Sequence, residues 1–249
     1  NNMTKIIELK NVSFAYEQKQ IFSHLNLEVH KWDFIGVFGE NGTGKTTLVK
    51  LILSLLQPNS GNILWYDEQE KQIEQKAVNI EYISQKAQMI DSIVPITVKE
   101  IVKMGNKPKW WIFRHLTASC SYETIEKSLS HVNMIEYINS PFSELSGGQK
   151  QRVLIAKALI SNPDIIIMDE PTAGVDLVAQ KHFYELLSHL NQAHNITLIL
   201  ISHDTKFIQD KIKRLWYVGK NVCHECADSN SHAQNIQNMF PAQKVEFLW

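Results

Sequence analysis

The chain has no long apolar run. Nowhere in its 249 residues is there the stretch of roughly 18 to 20 consecutive apolar residues that a spanning helix needs, which argues against a membrane-embedded chain. It also has no excess of one charge. With 25 Lys and Arg against 26 Asp and Glu, the formal net charge is -1, so nucleic acid is not expected as a partner. Cysteine is scarce: three residues, an odd number, argue against a disulfide framework and for a reducing compartment. The opening Asn1-Asn2-Met3-Thr4-Lys5 has neither the charged and apolar regions nor the small-residue cleavage site of a secretory signal, and Asn1 and Asn2 read as an addition ahead of Met3. A cytoplasmic location is the expectation. The composition, 44% hydrophobic, is enough for one large core or a core with a smaller lobe.

The most informative stretch is Gly39-Glu40-Asn41-Gly42-Thr43-Gly44-Lys45-Thr46-Thr47. It follows the apolar run 34–38, which reads as a buried strand, and precedes 48–53, which reads as a helix. The pattern G-x-x-x-x-G-K-[ST] fits at Gly39, Gly44, Lys45 and Thr46. Glycines let successive backbone N–H groups turn inward as a concave nest for β- and γ-phosphates, and the helix N-terminus adds partial positive charge. Lys45 supplies a mobile full charge, Thr46 an oxygen suited to Mg²⁺, and Thr47 is expected to help hold the phosphates.

Residues 6–14 and 25–29 alternate apolar and polar, as half-exposed antiparallel strands do. Tyr16, between them, is either an ordinary partly buried tyrosine or a platform that stacks on adenine. Strands are also expected at 62–66 and 78–83, with a solvated loop or helix face over 67–76. Gln85, just past the second of these strands, carries an amide able to bind the water shell of Mg²⁺ and to switch partners, or is simply surface. From residue 86 the pattern turns helical. Thr97 and Glu100 form a capping-box pair with Val98, Ile101, Val102 and Met104 on the apolar side, and a second helical stretch spans 123–137. Trp110, Trp111 and Phe113, between Lys109 and Arg114, are either core or an interaction surface.

Ser146-Gly147-Gly148-Gln149 opens an amphipathic helix, a second terminus suited to an anion. Either the chain binds two anions or one terminus completes the site of a neighbouring copy. The apolar run 165–168 reads as a central strand ending in Asp169 and Glu170. Ligands of open parallel sheets bind beyond the carboxyl ends of the strands, so Asp169 is the candidate to hold Mg²⁺ and Glu170 the candidate to orient or deprotonate water. A turn through Asp176 leads to another helix, and a further buried strand, 196–201, ends near His203, which could donate to a γ-phosphate and brace the carboxylate. The tail holds Cys223, His224, Cys226 and His232. One C-x-x-C and a distant histidine do not make a closed metal site, and a surface hairpin is expected there.

Taken together, Gly39 to Thr46, Gln85, Leu145 to Gln149, Ile165 to Glu170, Asp176 and His203 resemble, in order, the Walker A, Q-loop, signature, Walker B, D-loop and switch-histidine motifs of the ATP-binding subunit of ABC transporters. The resemblance covers the chain to about residue 222. It implies an α/β fold with a P-loop (RecA-like) ATPase core, an antiparallel β subdomain and a helical subdomain. The core would comprise 1–85 and 145–222, the helical subdomain 86–144, and the tail 223–249. It also implies ATP and Mg²⁺ as cofactors and a sandwich of two copies, in which Ser146, Gly147, Gly148 and Gln149 of one face the phosphates held by Lys45 of the other. Tyr16 becomes the adenine-stacking residue, and Asp176 joins the nucleotide site.

Residues 92–98, 102–105, 111–114, 170–176 and 222–225 look like the zinc and manganese importers, whose ATPase subunit drives a separate integral membrane permease fed by an extracytoplasmic metal-binding protein. That places the chain on the cytoplasmic side of the membrane. Asn106, where family members often carry Arg, and the tail after Cys226 depart from the pattern. Zinc is the first expectation for cargo, manganese the second, iron or a metal chelate the third. The rivals are an exporter or lipid-handling subunit and a soluble ABC ATPase acting on ribosomes or DNA.

Overall fold

Three short strands without a single exposed position set the frame: Phe34–Phe38, Ile165–Asp169 and Thr197–Ile201. Apolar runs this short, buried on both faces, suit the middle of a parallel sheet, where both sides are covered. The computed structural model describes residues 4–89, 96–106, 121–202, 211–219 and 223–226. In chain order its elements are β1 (Lys5–Tyr16), β2 (Lys19–His30), β3 (Phe34–Phe38), α1 (Lys45–Ile52), β4 (Ser60–Tyr66), β5 (Gln72–Ile73), β6 (Ile80–Ile83), α2 (Val98–Lys103), α3 (Tyr122–Ser130), α4 (Gly147–Leu159), β7 (Ile165–Asp169), α5 (Leu177–His194), β8 (Thr197–Ile201), β9 (Arg214–Val218) and β10 (Cys223–Cys226), with short 3-10 turns between some of them.

The chain divides into two compact units, 1–73 with 199–249, and 74–198. In the first, β1 pairs with β2 and with β4 in a four-stranded antiparallel sheet, β2-β1-β4-β5. Both long strands extend past their alternating segments, and β1 carries the chain to Tyr16 before a tight turn returns it as β2. Beside this sheet, the strand order β10-β9-β3-β8 carries parallel pairing of β3 with β9 and antiparallel pairing of β9 with β10. The tail segment 223–226 is thus the edge partner of β9, the hairpin expected of it. Asp33, at the entry to β3, is completely buried, and its Oδ2 accepts from Arg214 Nη1 at 2.6 Å. Arg214 also pairs with Glu225 of β10, and the two carboxylates keep its guanidinium charged despite burial.

In the second unit, β6 and β7 pair in parallel, and α4 packs against β6 and against α2, α3 and α5. Thr97 caps α2 with the full reciprocal box: Glu100 Oε2 accepts from the Thr97 amide at 2.8 Å, and Val98, Ile101 and Val102 are buried. Met104 departs from the expectation. At the end of α2 it is 57% exposed, because the helical period turns it well to the side of the face that Val98, Ile101 and Val102 share. The helical stretch expected over 123–137 is broken after Ser130. Asn133 adopts φ 56, the Met134 amide returns to Leu129 O at 2.9 Å, and Ile135 begins a separate 3-10 turn with its side chain exposed. The segment 67–76 is a turn, the two-residue β5 and the start of a 3-10 turn.

Candidate functional site

The glycine loop lies between β3 and α1, as the strand and helix on either side require. Gly44 is the N-cap of α1 with φ 113 and ψ 8. No side chain caps that end, and no acidic residue sits in its first turn, so the amides that open α1 face outward as donors. At Gly39, φ 155, a Cβ would lie 2.2 Å from the Val218 carbonyl oxygen, so the loop leaves β3 pressed against the end of β9. Lys45 is buried within its own loop: Nζ donates to Gly39 O at 2.7 Å and Glu40 O at 2.9 Å. Thr43 Oγ1 donates to Glu40 O at 2.9 Å and closes the turn, while Asn41 and Gly42 form the exposed tip. Thr46 is exposed in the first turn of α1, and Thr47 is buried beneath it. A row of glycines, an uncapped helix start and a cation held inside the loop are the features a triphosphate fits.

Tyr16, also in the first unit, ends β1 with its ring 42% exposed and braced edge-on by Phe14, with centroids 4.9 Å apart. A fixed, exposed ring is what stacking on a base requires.

The second unit carries the remaining candidates. Gln85 is exposed at the first position of a 3-10 turn just after β6. Asp169 is the last residue of β7, and the Tyr82 hydroxyl of β6 donates to its Oδ2 at 3.1 Å. Burial first, and then the Asp169 charge and hydrogen bond, push the Tyr82 hydroxyl far above its ordinary range, so it stays a neutral donor. Tyr82 was not singled out from the sequence. Alternation along β6 turns it to one face, but only the parallel pairing with β7 supplies its carboxylate partner. Glu170 follows with φ 47, a left-handed conformation unusual for a residue bearing a Cβ. Carboxylate and amide oxygens such as those Asp169 and Gln85 carry are the kind of donor a hard divalent cation takes.

Ser146 caps α4. Its hydroxyl accepts from the Gln149 amide at 3.3 Å while Gln149 Oε1 accepts from the Ser146 amide at 2.9 Å. The Gln149 side chain is therefore engaged in the cap, and the amides of Gly147 and Gly148 are what the turn presents. A Cβ at either glycine would reach only ordinary contact, 3.6 Å to Val175 and 3.5 Å to Ala179, so their role is the bare, approachable backbone. Asp176 caps α5, accepting from the Ala179 amide at 2.9 Å. His203, Trp110, Trp111, Phe113 and His232 lie outside the described residues. Among the described residues, no group of three or more His, Cys, Asp or Glu is placed to hold a metal ion, and no helix is long and apolar enough to cross a membrane.

Comparison with known proteins matches residues 22–173 to the ABC transporter family. The zinc uptake system ATP-binding protein ZurA of Listeria innocua is 39% identical over 246 residues, 99% of this chain and 93% of that protein. The high-affinity zinc uptake system ATP-binding protein ZnuC of Bacillus subtilis is 34% identical over 213 residues, 84% of this chain and 90% of that protein. Among solved structures, the dimeric structure of a bacterial ABC transporter cassette is 26% identical, with a TM-score of 0.68 over 89% of this chain and 98% of that one.

Proposed function

The chain belongs to the ABC transporter family, and from that membership we propose that it is the ATP-hydrolysing subunit of an importer for divalent metal ions, zinc first among them. The observation that carries the cargo is its 39% identity, over nearly the whole of both chains, to a protein of zinc uptake. The partners in this reading are a second copy of the chain, an integral membrane permease and, through the permease, an extracytoplasmic metal-binding protein. The working location is the cytoplasmic face of the membrane.

ATP binds the loop 39–47, with Tyr16 against the adenine. The amides at the start of α1 meet the phosphates, and Lys45 exchanges the Gly39 and Glu40 carbonyls for phosphate oxygens. Thr46, Asp169 and Gln85 would hold Mg²⁺, whose charge would offset that of the phosphates. The bare backbone of Gly147 and Gly148, with Ser146, closes over the nucleotide of the partner subunit, so each site is completed by two copies. Glu170 orients the attacking water, and His203 and Lys45 stabilise charge that develops on the γ-phosphoryl group. Tyr82, locked in its neutral form, fixes the direction of the Asp169 carboxylate. Hydrolysis removes the contact that joins the two copies, giving a switch between paired and separated states. The segment 86–144 passes that motion to the permease, with Trp110, Trp111 and Phe113 near the contact.

Growth separates the cargoes. Deleting the gene should impair growth when zinc is withheld, with rescue by added zinc. A defect confined to manganese or iron limitation reassigns the cargo, and no metal-dependent defect overturns metal import.

A further inference from the structure

Between β7 and α5 the backbone turns in a way that a Glu-Pro pair does not favour. Glu170 sits at φ 47, where a Cβ is costly, and it precedes Pro171, whose ring steers the residue before it toward extended backbone. A conformation of this kind persists only where its surroundings over-determine it. Those surroundings are side chains from the two flanking helices. Gln151, in the second turn of the helix that Ser146 caps, is 2% exposed, and its Nε2 donates to the Pro171 carbonyl. That carbonyl can only accept, so the nitrogen of the amide must face it, and Gln151 Oε1 has no hydrogen-bond partner among the described residues. From α5, Gln180 Nε2 donates to Val175 O at 2.9 Å and more distantly to Thr172 O at 3.4 Å, while the Thr172 and Tyr184 hydroxyls share a buried hydrogen bond at 3.0 Å. Within the turn, the Ala173 amide donates to Glu170 O at 3.3 Å.

The Gln180 and Tyr184 contacts hold the far side of this turn, and Gln151 reaches the peptide next to Glu170 from the signature helix. We infer that Gln151 is a positioning residue for hydrolysis: its amide fixes the Pro171 carbonyl, and through it the backbone that aims the Glu170 carboxylate at water. The same bond joins Glu170 to α4, whose first turn meets the nucleotide of the partner subunit. A displacement of α4 on engaging that nucleotide would reach the backbone beside the chain's own carboxylate through this buried hydrogen bond, a route by which the two sites of the pair would sense each other. The inference rests on Glu170 as the water-orienting group and on pairing of two copies.

The test is steady-state ATP hydrolysis by the permease-bound complex carrying Gln151→Met, Gln151→Glu or Glu170→Gln. Methionine matches the length of glutamine and removes the donor. Losing one buried, directional hydrogen bond should lower kcat about 10- to 100-fold, with KM for ATP changed less than about twofold. Gln151→Glu should share that loss at alkaline pH. Its kcat should recover as pH falls through the pKa of the new carboxyl, raised by burial above the usual ~4.3, because only the neutral form has an O–H to give Pro171. A packing role would instead move KM and kcat together, with no recovery on acidification. Wild-type kcat in Gln151→Met, or a pH-independent loss in Gln151→Glu, overturns the inference. Should Gln151→Met fail to fold, the pH profile of Gln151→Glu decides alone. Wild-type turnover in Glu170→Gln would instead remove the Glu170 reading itself, so the two failures are told apart.

Discussion

Two glycines two residues apart in sequence, Gly42 and Gly44, should respond very differently to the same methyl group. Gly42 has φ 80, and a Cβ added there meets nothing within 4 Å. Gly42→Ala therefore carries only the cost of a left-handed L-residue, about 1–2 kcal/mol. Gly44 has φ 113, farther from any basin open to alanine, and its Cβ would lie 2.7 Å from Ile21 Cγ2 and 3.1 Å from Phe22 Cζ. Neither neighbour can easily give way, because Ile21 is β-branched and Phe22 is completely buried in β2. Backbone strain of about 1–3 kcal/mol and overpacking of about 1–3 kcal/mol put Gly44→Ala near 4 kcal/mol. At about 2–4 °C per kcal/mol for a chain of this size, the thermal midpoint should fall by about 12 °C for Gly44→Ala and by about 3–6 °C for Gly42→Ala. Because Gly44 caps α1, its substitution also swings the first helical amides away from the phosphates. A fluorescent ATP analogue should accordingly bind at least about tenfold more weakly to Gly44→Ala than to Gly42→Ala. Thermal unfolding and equilibrium titration of the two purified variants read both effects. Equal midpoints, or a Gly44→Ala midpoint within about 3 °C of the parent, would refute the steric argument.

Glu170→Gln should bind ATP, pair more tightly and hydrolyse about 100-fold more slowly or worse, as single-turnover assays and size-exclusion chromatography with ATP would read. Alanine at Trp110, Trp111 and Phe113 should uncouple transport while basal ATPase survives, and equal loss of both activities in a reconstituted system would remove the docking role. His131, which ends α3 with its ring 4.3 Å from His194, has its pKa held below the ordinary 6.5 by burial first and then by the charges of His194, Lys127 and His189. The unfolded chain takes that proton more readily. Its contribution to stability is therefore complete above about pH 6.5 and is lost as pH falls through the depressed value. His131→Asn should flatten the fall of the thermal midpoint over that window, and an unchanged slope counts against the assignment.

The elements legible from sequence were those whose cause is local. The strand-loop-helix around Lys45 follows from an apolar run, glycines and an aliphatic repeat, and the Thr97–Glu100 and Ser146–Gln149 boxes follow from residues three apart. What escaped notice depends on contacts between distant segments. β9, Arg214–Val218, mixes charged, aromatic and aliphatic residues without alternation, and it is a strand because β3 pairs with it residue by residue from Ile35 with Arg214 to Phe38 with Tyr217. The break after Ser130 was hidden because Leu129, Val132 and Ile135 keep helical spacing across it, whereas the backbone reverses at Asn133. Tyr82 and Gln151 look like ordinary strand and helix positions until β6 lies beside β7 and α4 beside the turn after it. Motif spacing therefore named the residues proposed to meet the nucleotide, and pairing between segments was needed to find those that hold them in place.

The left-handed backbone at Glu170 sets protein engineers a choice. Glycine, or asparagine to a lesser degree, would rest more comfortably at φ 47, so a library screened only for heat resistance should accumulate Glu170→Gly and Glu170→Asn. Screened for turnover, the same library should discard both. Thermal selection on this scaffold therefore needs codon 170 held constant, or it will enrich robust proteins that no longer burn fuel.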